Sequence, residues 1–175
     1  KEIQLLREAI PALTRLAVLW DERQGDAQLR AAQGAAKTTG TSLVPIAIRA
    51  DADLDKAVSR AMRSRPQALL VLSGPVIYVH RTRIVESAIR NRLLSASVQP
   101  ELAEAGGLLG YGPNLAELFR QAARYVDRVV KGARPADLPI ERPSRFQLLV
   151  NLKTAKALGL TIPPALLQRA DQVIE

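Results

Sequence analysis

The sequence predicts an α/β fold in which a doubly wound parallel sheet lies between two layers of helices. Apolar runs of strand length occur at residues 15–20, 42–48, 68–73 and 93–98. Stretches with helical periodicity separate these runs, at 27–39, from about 53 to 62, and at 80–91. This alternation is typical of a parallel sheet, and right-handed crossovers place helices on both of its faces. The expected architecture is a three-layer α/β/α, Rossmann-like lobe.

Local residue chemistry supports individual elements of this scheme. Pro45 lies inside the run 42–48 and has no backbone N–H, so this strand is expected at an edge of the sheet. Asp51 or Asp53 is the expected N-cap of the helix that follows. The run 93–98 is short and makes the weakest of the four strands.

The pattern changes in the second half of the chain. Residues 104–114 contain four glycines around one short apolar piece, and residues 133–146 contain three prolines. Between them a long helix carries an apolar stripe of Leu115, Leu118, Phe119, Ala122, Tyr125, Val126 and Val129. A glycine-rich strand and a proline-rich return are typical of a hinge between two lobes, and equally of an ordinary surface loop.

The C-terminal residues are expected to form one strand at 146–150 and two helices. Asn151 is the expected N-cap of the first helix, and Gly159 the residue that ends it. The second helix is expected to begin at Pro164. Its apolar face is expected to consist of Leu167, Ala170 and Ile174.

Composition argues against several classes of function. The chain has a net charge of +8, but its basic residues are scattered and aromatic residues make up only 3% of it, so no nucleic-acid partner is expected. There is no cysteine, and His80 is the single histidine, so neither a metal site nor a cofactor is expected. Phosphate-binding glycine motifs and the G-x-S-x-G motif are also missing, and nothing indicates an enzyme.

Polar residues follow the predicted strands at the edge where parallel sheets bind ligands. Asp21, after the first strand, is a candidate to receive an ammonium or hydroxyl group. Ser73 and the backbone amides after it are candidate donors to a carboxylate, and Tyr111 is a candidate to stack on a ligand or hydrogen-bond to it. The candidate ligand-binding residues are Asp21, Ser73, Gly74, Pro75, Ser97, Gln99 and Tyr111.

Four segments of the sequence resemble one bacterial family. The ending "VNLKTAKALGLTIPPALLQRADQVIE" and the segment "EAGGLLGYGPNLAELFRQAARYVDRVVKGARPADLPIERPSRFQLLV" are its most specific parts. The stretches "LREAIPALTRLAVLWD" and "ALLVLSGPVIYVHRTRI" resemble the same family in the same order. The family is that of the ABC-transporter substrate-binding proteins that includes tryptophan- and tyrosine-binding members, and the resemblance covers essentially the whole chain.

This resemblance implies a type I periplasmic binding protein, in which two α/β lobes close on a small ligand and deliver it to a membrane permease. It implies that residues 1–112 form the second lobe, 113–145 a hinge-crossing helix and its return, and 146–175 a terminal strand and helices packing on the lobes. The first lobe is expected to be missing from this chain, which raises the expectation of a homodimer through the helix at 114–132. The implied location is the periplasm, or the extracytoplasmic side of a membrane as a lipoprotein.

The loops that face the ligand depart from the family pattern. Asp21 stands where members commonly have asparagine, and "SGP" at 73–75 stands where they often have an aspartate. The identity of the ligand is therefore left open, with an amino acid as one candidate. Two other functions also remain open, namely the sensor domain of a transcription regulator with the same fold and a doubly wound enzyme.

Overall fold

One mixed sheet runs through the protein in a computed structural model that describes residues 1–50, 53–143 and 145–175. Within these ranges its seven strands are arranged in the order β2-β1-β3-β4-β5-β6-β7. The strands are β1 Arg15–Asp21, β2 Ser42–Ile48, β3 Ala68–Val71, β4 Leu94–Ser97, β5 Leu109–Pro113, β6 Phe146–Asn151 and β7 Gln172–Ile174.

The strand order confirms the predicted doubly wound sheet. β1 pairs in parallel with both β2 and β3, so the chain crosses over on one side of β1 and then on the other. β3, β4 and β5 continue in parallel, whereas β6 runs antiparallel to β5 and β7 parallel to β6. Among the described strands β2 lies at an edge, as Pro45 predicted, because an edge strand needs no ladder bond from that residue.

Helices cover both faces of the sheet. They are α1 Glu2–Ala9, α2 Ala27–Thr38, α3 Leu54–Arg63, α4 Pro75–Val79, α5 Arg81–Arg90, α6 Glu101–Glu104, α7 Leu115–Val130, α8 Leu152–Ala157 and α9 Pro164–Leu167. Successive side chains of β1 point to opposite faces, with Leu16 and Val18 in one core and Ala17 and Leu19 in the other. The first core is closed by α1, α2, α8 and α9, and the second by α3, α4, α5 and α6.

The predicted final helix is wrong in its second half. The helix ends at Leu167, and Ile174 lies in strand β7. Asp171 explains the change, because its carboxylate accepts a hydrogen bond from the Leu148 N–H at 2.8 Å while its own N–H donates to the Leu148 carbonyl at 2.9 Å. These bonds start the β6–β7 ladder, in which Val173 lies opposite Val150.

Two further predictions need qualification. Asp53 occupies the N-cap position of α3, but its carboxylate accepts from the Ala50 N–H at 3.2 Å and not from the helix. The alternative cap, Asp51, lies outside the described residues. The helix expected at 80–91 is α5, and a separate short helix, α4, precedes it from Pro75.

Helix α7 stands away from the sheet, and none of its residues is buried. Residues 131–143 return along one side of it and leave a groove of about 470 Å³ between them. The Tyr125 hydroxyl donates to the Pro139 carbonyl across this contact. A second side, which we call the outer stripe, consists of Phe119, Val126 and Val130, and these side chains are 73%, 63% and 80% exposed. Their spacing of seven and four residues places them on one face of the helix.

Within the described ranges, every helix is too short or too polar to cross a membrane.

Candidate functional site

A groove of about 370 Å³ opens at the carboxyl edge of the sheet. Four of the seven predicted residues line it, namely Ser73, Gly74, Pro75 and Gln99. Five further residues, which were not predicted to bind a ligand, complete the lining: Gln24, Gln28, Tyr78, Leu115 and Phe119. The groove is thus built from the loops after β1, β3 and β4, from the starts of α2 and α4, and from the first turn of α7.

Asp21 is placed beside this groove, but its carboxylate is bound by its own chain. Its side chain has no exposed surface, and its two oxygens accept from Nε and Nη2 of Arg23, each at 3.0 Å. The Arg23 backbone N–H donates to the same carboxylate at 3.1 Å. These bonds, with the Arg23 side chain as the largest cause, lower the pKa of Asp21 although burial acts in the opposite direction.

Position 74 requires glycine because its backbone lies very close to the Asp21 side chain. A Cβ at this position would lie 2.6 Å from the Asp21 Cβ. Gln28 then fixes the neighbouring peptide, because its side-chain amide accepts from the Ser73 N–H at 3.0 Å and donates to the Ser73 carbonyl at 3.3 Å. The Ser73-Gly74-Pro75 loop is therefore held from two sides, and its position does not depend on a ligand.

Ser97 supports the groove from inside the protein. Its buried hydroxyl donates to the Val71 carbonyl at 3.0 Å and accepts from the Gln99 N–H at 3.0 Å. Ser97 thus joins the ends of β3 and β4 and fixes the backbone from which the Gln99 side chain enters the groove.

Tyr111 lies at the crossing between the sheet and α7. Its ring stacks on Phe146 with a centroid distance of 5.7 Å and an interplanar angle of 24°. This contact joins β5 to the start of the antiparallel strand β6. Asn114 directs the chain at this crossing. Its side-chain oxygen Oδ1 caps α7 by accepting from the Glu117 N–H at 2.9 Å, and its side-chain Nδ2 donates to Gln147 Oε1 at 2.9 Å.

Two of the lining residues that were missed, Gln28 and Tyr78, share one explanation. The rule that ligands bind beyond the carboxyl ends of strands selects loop residues, whereas Gln28 and Tyr78 lie in the first turn of the helices that follow those loops. Phe119 was recognised only as part of an apolar stripe. Extending the rule by one helical turn would have selected Gln28 and Tyr78.

Among residues 1–50, 53–143 and 145–175, no group of three or more histidine, cysteine, aspartate or glutamate side chains is arranged to hold a metal ion.

Comparison with known proteins decides the family. The sequence model described as "ABC transporter substrate binding protein" matches residues 1–174. The chain belongs to this family. The resemblance stated from the four sequence segments is thereby confirmed. A comparison with curated protein sequences gives no match.

Solved structures of substrate-binding proteins share this fold. An ABC domain from Streptococcus pneumoniae in complex with L-Trp matches with a TM-score of 0.91 at 24% identity, over 99% of this chain and 59% of that one. A conserved domain protein from Vibrio cholerae matches with a TM-score of 0.91 at 21% identity, over 98% of this chain and 58% of that one. A ligand-free, open substrate-binding protein from Clostridium difficile matches with a TM-score of 0.73 at 19% identity, over 99% and 59%. The chain therefore spans less than two thirds of the length of each of these relatives.

Transcription regulators of the LacI family have the same fold at lower similarity. One from Bifidobacterium animalis matches with a TM-score of 0.62 at 15% identity, over 84% of this chain and 58% of that one.

The buried Asp21 carboxylate leads to a pH-dependent prediction. We expect Asp21→Asn to lower the free energy of unfolding at pH 7 by about 1.5–3 kcal/mol, the usual value of hydrogen bonds to a charged group. Because folding lowers the pKa of Asp21, its contribution is complete above the unfolded value of about 3.9 and is lost as the pH falls through the folded value. Urea denaturation from pH 7 to pH 3 measures the difference between the two proteins, which is expected to shrink below about pH 4.

Asp26→Asn is the matched control, because Asp26 pairs with Arg30 on the surface and both side chains are more than half exposed. Such a pair contributes about 0–1 kcal/mol, so this variant is expected to follow the parent protein at every pH. An Asp21→Asn protein with the stability of the parent at pH 7 would contradict this account of the buried carboxylate.

Proposed function

We propose that this chain provides the ligand-binding lobe of the solute-binding component of an ABC-type uptake transporter. In this proposal it captures a small organic molecule, which the protein hands to a permease in the membrane. The observation that carries the proposal is the groove at the carboxyl edge of the sheet, because it is lined both by loops of the lobe and by Leu115 and Phe119 of α7. A binding protein that closes on its ligand needs such a site beside the connection between its lobes.

A second lobe completes the site in this proposal. Residues 1–112 are one lobe, 113–145 are the crossing helix and its return, and 146–175 add the terminal strand and helices. The exposed outer stripe and the adjacent crossing strands β5 and β6 support this division. Ligand contacts to both lobes then favour the closed arrangement over the open one.

The proposal places the protein outside the cytoplasm, either in the periplasm or attached to the membrane as a lipoprotein, which is where the substrate-binding family acts. It also holds that the protein binds its ligand and catalyses no reaction. Asp21 is the one ionisable side chain among the predicted site residues apart from Tyr111, and it is already bonded to Arg23.

A ligand-sensing domain of a transcription regulator is the second candidate, since LacI-family regulators have the same fold. The family match over residues 1–174 favours transport. Regulation would require binding to a specific DNA site that a ligand strengthens or weakens. A gel-shift experiment with the full gene product and DNA from its own promoter distinguishes the two.

The proposed function is tested by screening ligands against the full gene product. The panel contains the twenty amino acids, including the L-tryptophan bound by the Streptococcus pneumoniae relative, together with uncharged purines and pyrimidines. We expect at least one compound to raise the melting temperature and to bind with 1:1 stoichiometry in calorimetry. Phe119→Glu should weaken that binding at least tenfold, because it places a charge on the wall of the groove.

Ile140→Glu is the control, since this side chain is 97% exposed and lies outside the groove. The proposal fails if no compound binds, or if Phe119→Glu binds the ligand as tightly as the Ile140→Glu control does.

A further inference from the structure

The structure shows which part of a ligand this lobe is able to recognise. An amino acid presents an ammonium and a carboxylate, and burying either group is costly unless it meets a partner. The sequence predicted one receptor for each, Asp21 for the ammonium, and Ser73 with the backbone amides after it for the carboxylate. In the structure the Asp21 carboxylate and the Ser73 N–H are bonded within the chain.

The ammonium receptor is occupied by Arg23. Both carboxylate oxygens of Asp21 accept from the guanidinium at 3.0 Å, and the side chain has no exposed surface. Gly74 covers it so closely that a Cβ would lie 3.1 Å from Oδ2. A ligand ammonium would have to break a two-point ion pair and displace the loop to reach this group.

The carboxylate receptor is partly occupied. The Ser73 N–H donates to the Gln28 side chain at 3.0 Å. Pro75 has no N–H to offer. Two of the four backbone positions from 73 to 76, Ser73 and Pro75, therefore have no N–H to offer an anion.

The groups that remain in the groove are uncharged. No described residue that lines it carries a formal charge. Hydrogen bonds are available from the Ser73 hydroxyl and from the side-chain amides of Gln24 and Gln99. Flat apolar surface is available from Tyr78 and Phe119, which are 39% and 73% exposed. Arg81 lies over one face of the Tyr78 ring at 4.7 Å from its centroid.

We propose that this lobe receives an uncharged, flat ring system that bears amide or hydroxyl groups, and not the ammonium or carboxylate of an amino acid. This inference rests on the proposed function and specifies its substrate class. The ring stacks against Tyr78 and Phe119, and its polar edge bonds to Ser73 and Gln99. Side-chain amides suit such a ligand, because each donates and accepts hydrogen bonds without adding charge.

Pairs of compounds that share a ring and differ in charge test the substrate class. The pairs are nicotinamide with nicotinate, uracil with orotate, and indole-3-acetamide with indole-3-acetate and with tryptamine. Calorimetry with the full gene product is expected to show tightest binding to a neutral compound, at least tenfold tighter than its charged counterpart. If the charged member binds as tightly, or an amino acid binds best, this inference fails while the proposed function stands. If nothing in either panel binds, the proposed function fails and this inference with it.

Charge substitutions in the groove test whether the ligand that this lobe meets is uncharged. We expect Gln99→Glu and Gln99→Lys both to weaken binding of the best compound about tenfold, because neither charge finds a partner on a neutral ring. Gln24→Glu and Gln24→Lys repeat the test on an exposed loop, where folding is not at risk. The same changes at the exposed Gln168, outside the groove, are the control and should leave binding unchanged. Tighter binding by either the acidic or the basic variant would show that the ligand presents an opposite charge here and would overturn the inference.

Discussion

Replacing Gly112 by alanine is expected to destabilise the protein by about 3 kcal/mol or more, the upper range for overpacking. A Cβ on Gly112 would lie 2.0 Å from the carbonyl oxygen of Val98 and 2.9 Å from its carbonyl carbon. These are backbone atoms, and the Val98 N–H is bonded to the Val71 carbonyl, so the clash has no flexible side chain to move aside. Relief would require β5 to separate from the loop that carries Gln99, which damages fold and groove together.

Gly34→Ala is the matched control for this substitution. Gly34 lies within α2, and a Cβ there would meet nothing within 4 Å. Alanine is preferred to glycine in a helix, so this variant should be more stable by about 0.5–1 kcal/mol. Urea denaturation followed by circular dichroism measures both variants. If Gly112→Ala unfolds at the same urea concentration as the parent protein, the close contact between β5 and the β4 loop does not exist.

The 175-residue chain produced on its own is expected to self-associate through the outer stripe. Phe119, Val126 and Val130 are largely exposed, and burying a large apolar side chain contributes about 1.5–3 kcal/mol. In the proposed two-lobed protein the other lobe covers this face. In the chain alone a second copy is the available partner, and a two-fold dimer through α7 would bring two outer stripes together.

Light scattering measures this self-association and the effect of a charge on the stripe. The parent chain is expected to be a dimer, and Val126→Glu combined with Val130→Glu is expected to make it a monomer. Arg128→Glu, two residues from each of these positions and on another face of α7, should leave the dimer intact. A parent chain that is monomeric would contradict the expectation.

The sequence predicted the fold well because its strongest signals are local. The apolar runs at 15–20, 42–48 and 68–73 became β1, β2 and β3 within two residues at each end. Pro45 placed β2 at an edge correctly, since a missing N–H acts in the same way in any sheet.

The errors arose where distant contacts decide the local structure. Leu167, Ala170 and Ile174 have helical spacing, yet the bonds between Asp171 and Leu148 place residues 172–174 in a strand. No signal within the last ten residues reveals a partner 23 positions earlier in the chain.

Asp21 shows the same limit at the candidate site. Its position at the carboxyl end of β1 agrees with the prediction to within one residue, but its bonding depends on Arg23 folding back over it and on Gly74 covering it. Which polar groups face a ligand is settled by such pairings and not by the order of residues. For this reason the location of the groove followed from the sequence, whereas its uncharged lining did not.

A crystal structure of the full gene product with its best-binding compound tests the central claim most directly. The account requires the compound to lie at the carboxyl edge of the sheet, in contact with Ser73, Gln99 and Phe119 and enclosed from the opposite side by a second lobe. A compound bound elsewhere, or bound at this edge without any lobe facing it, would contradict the assignment of this chain as half of a closing binding site.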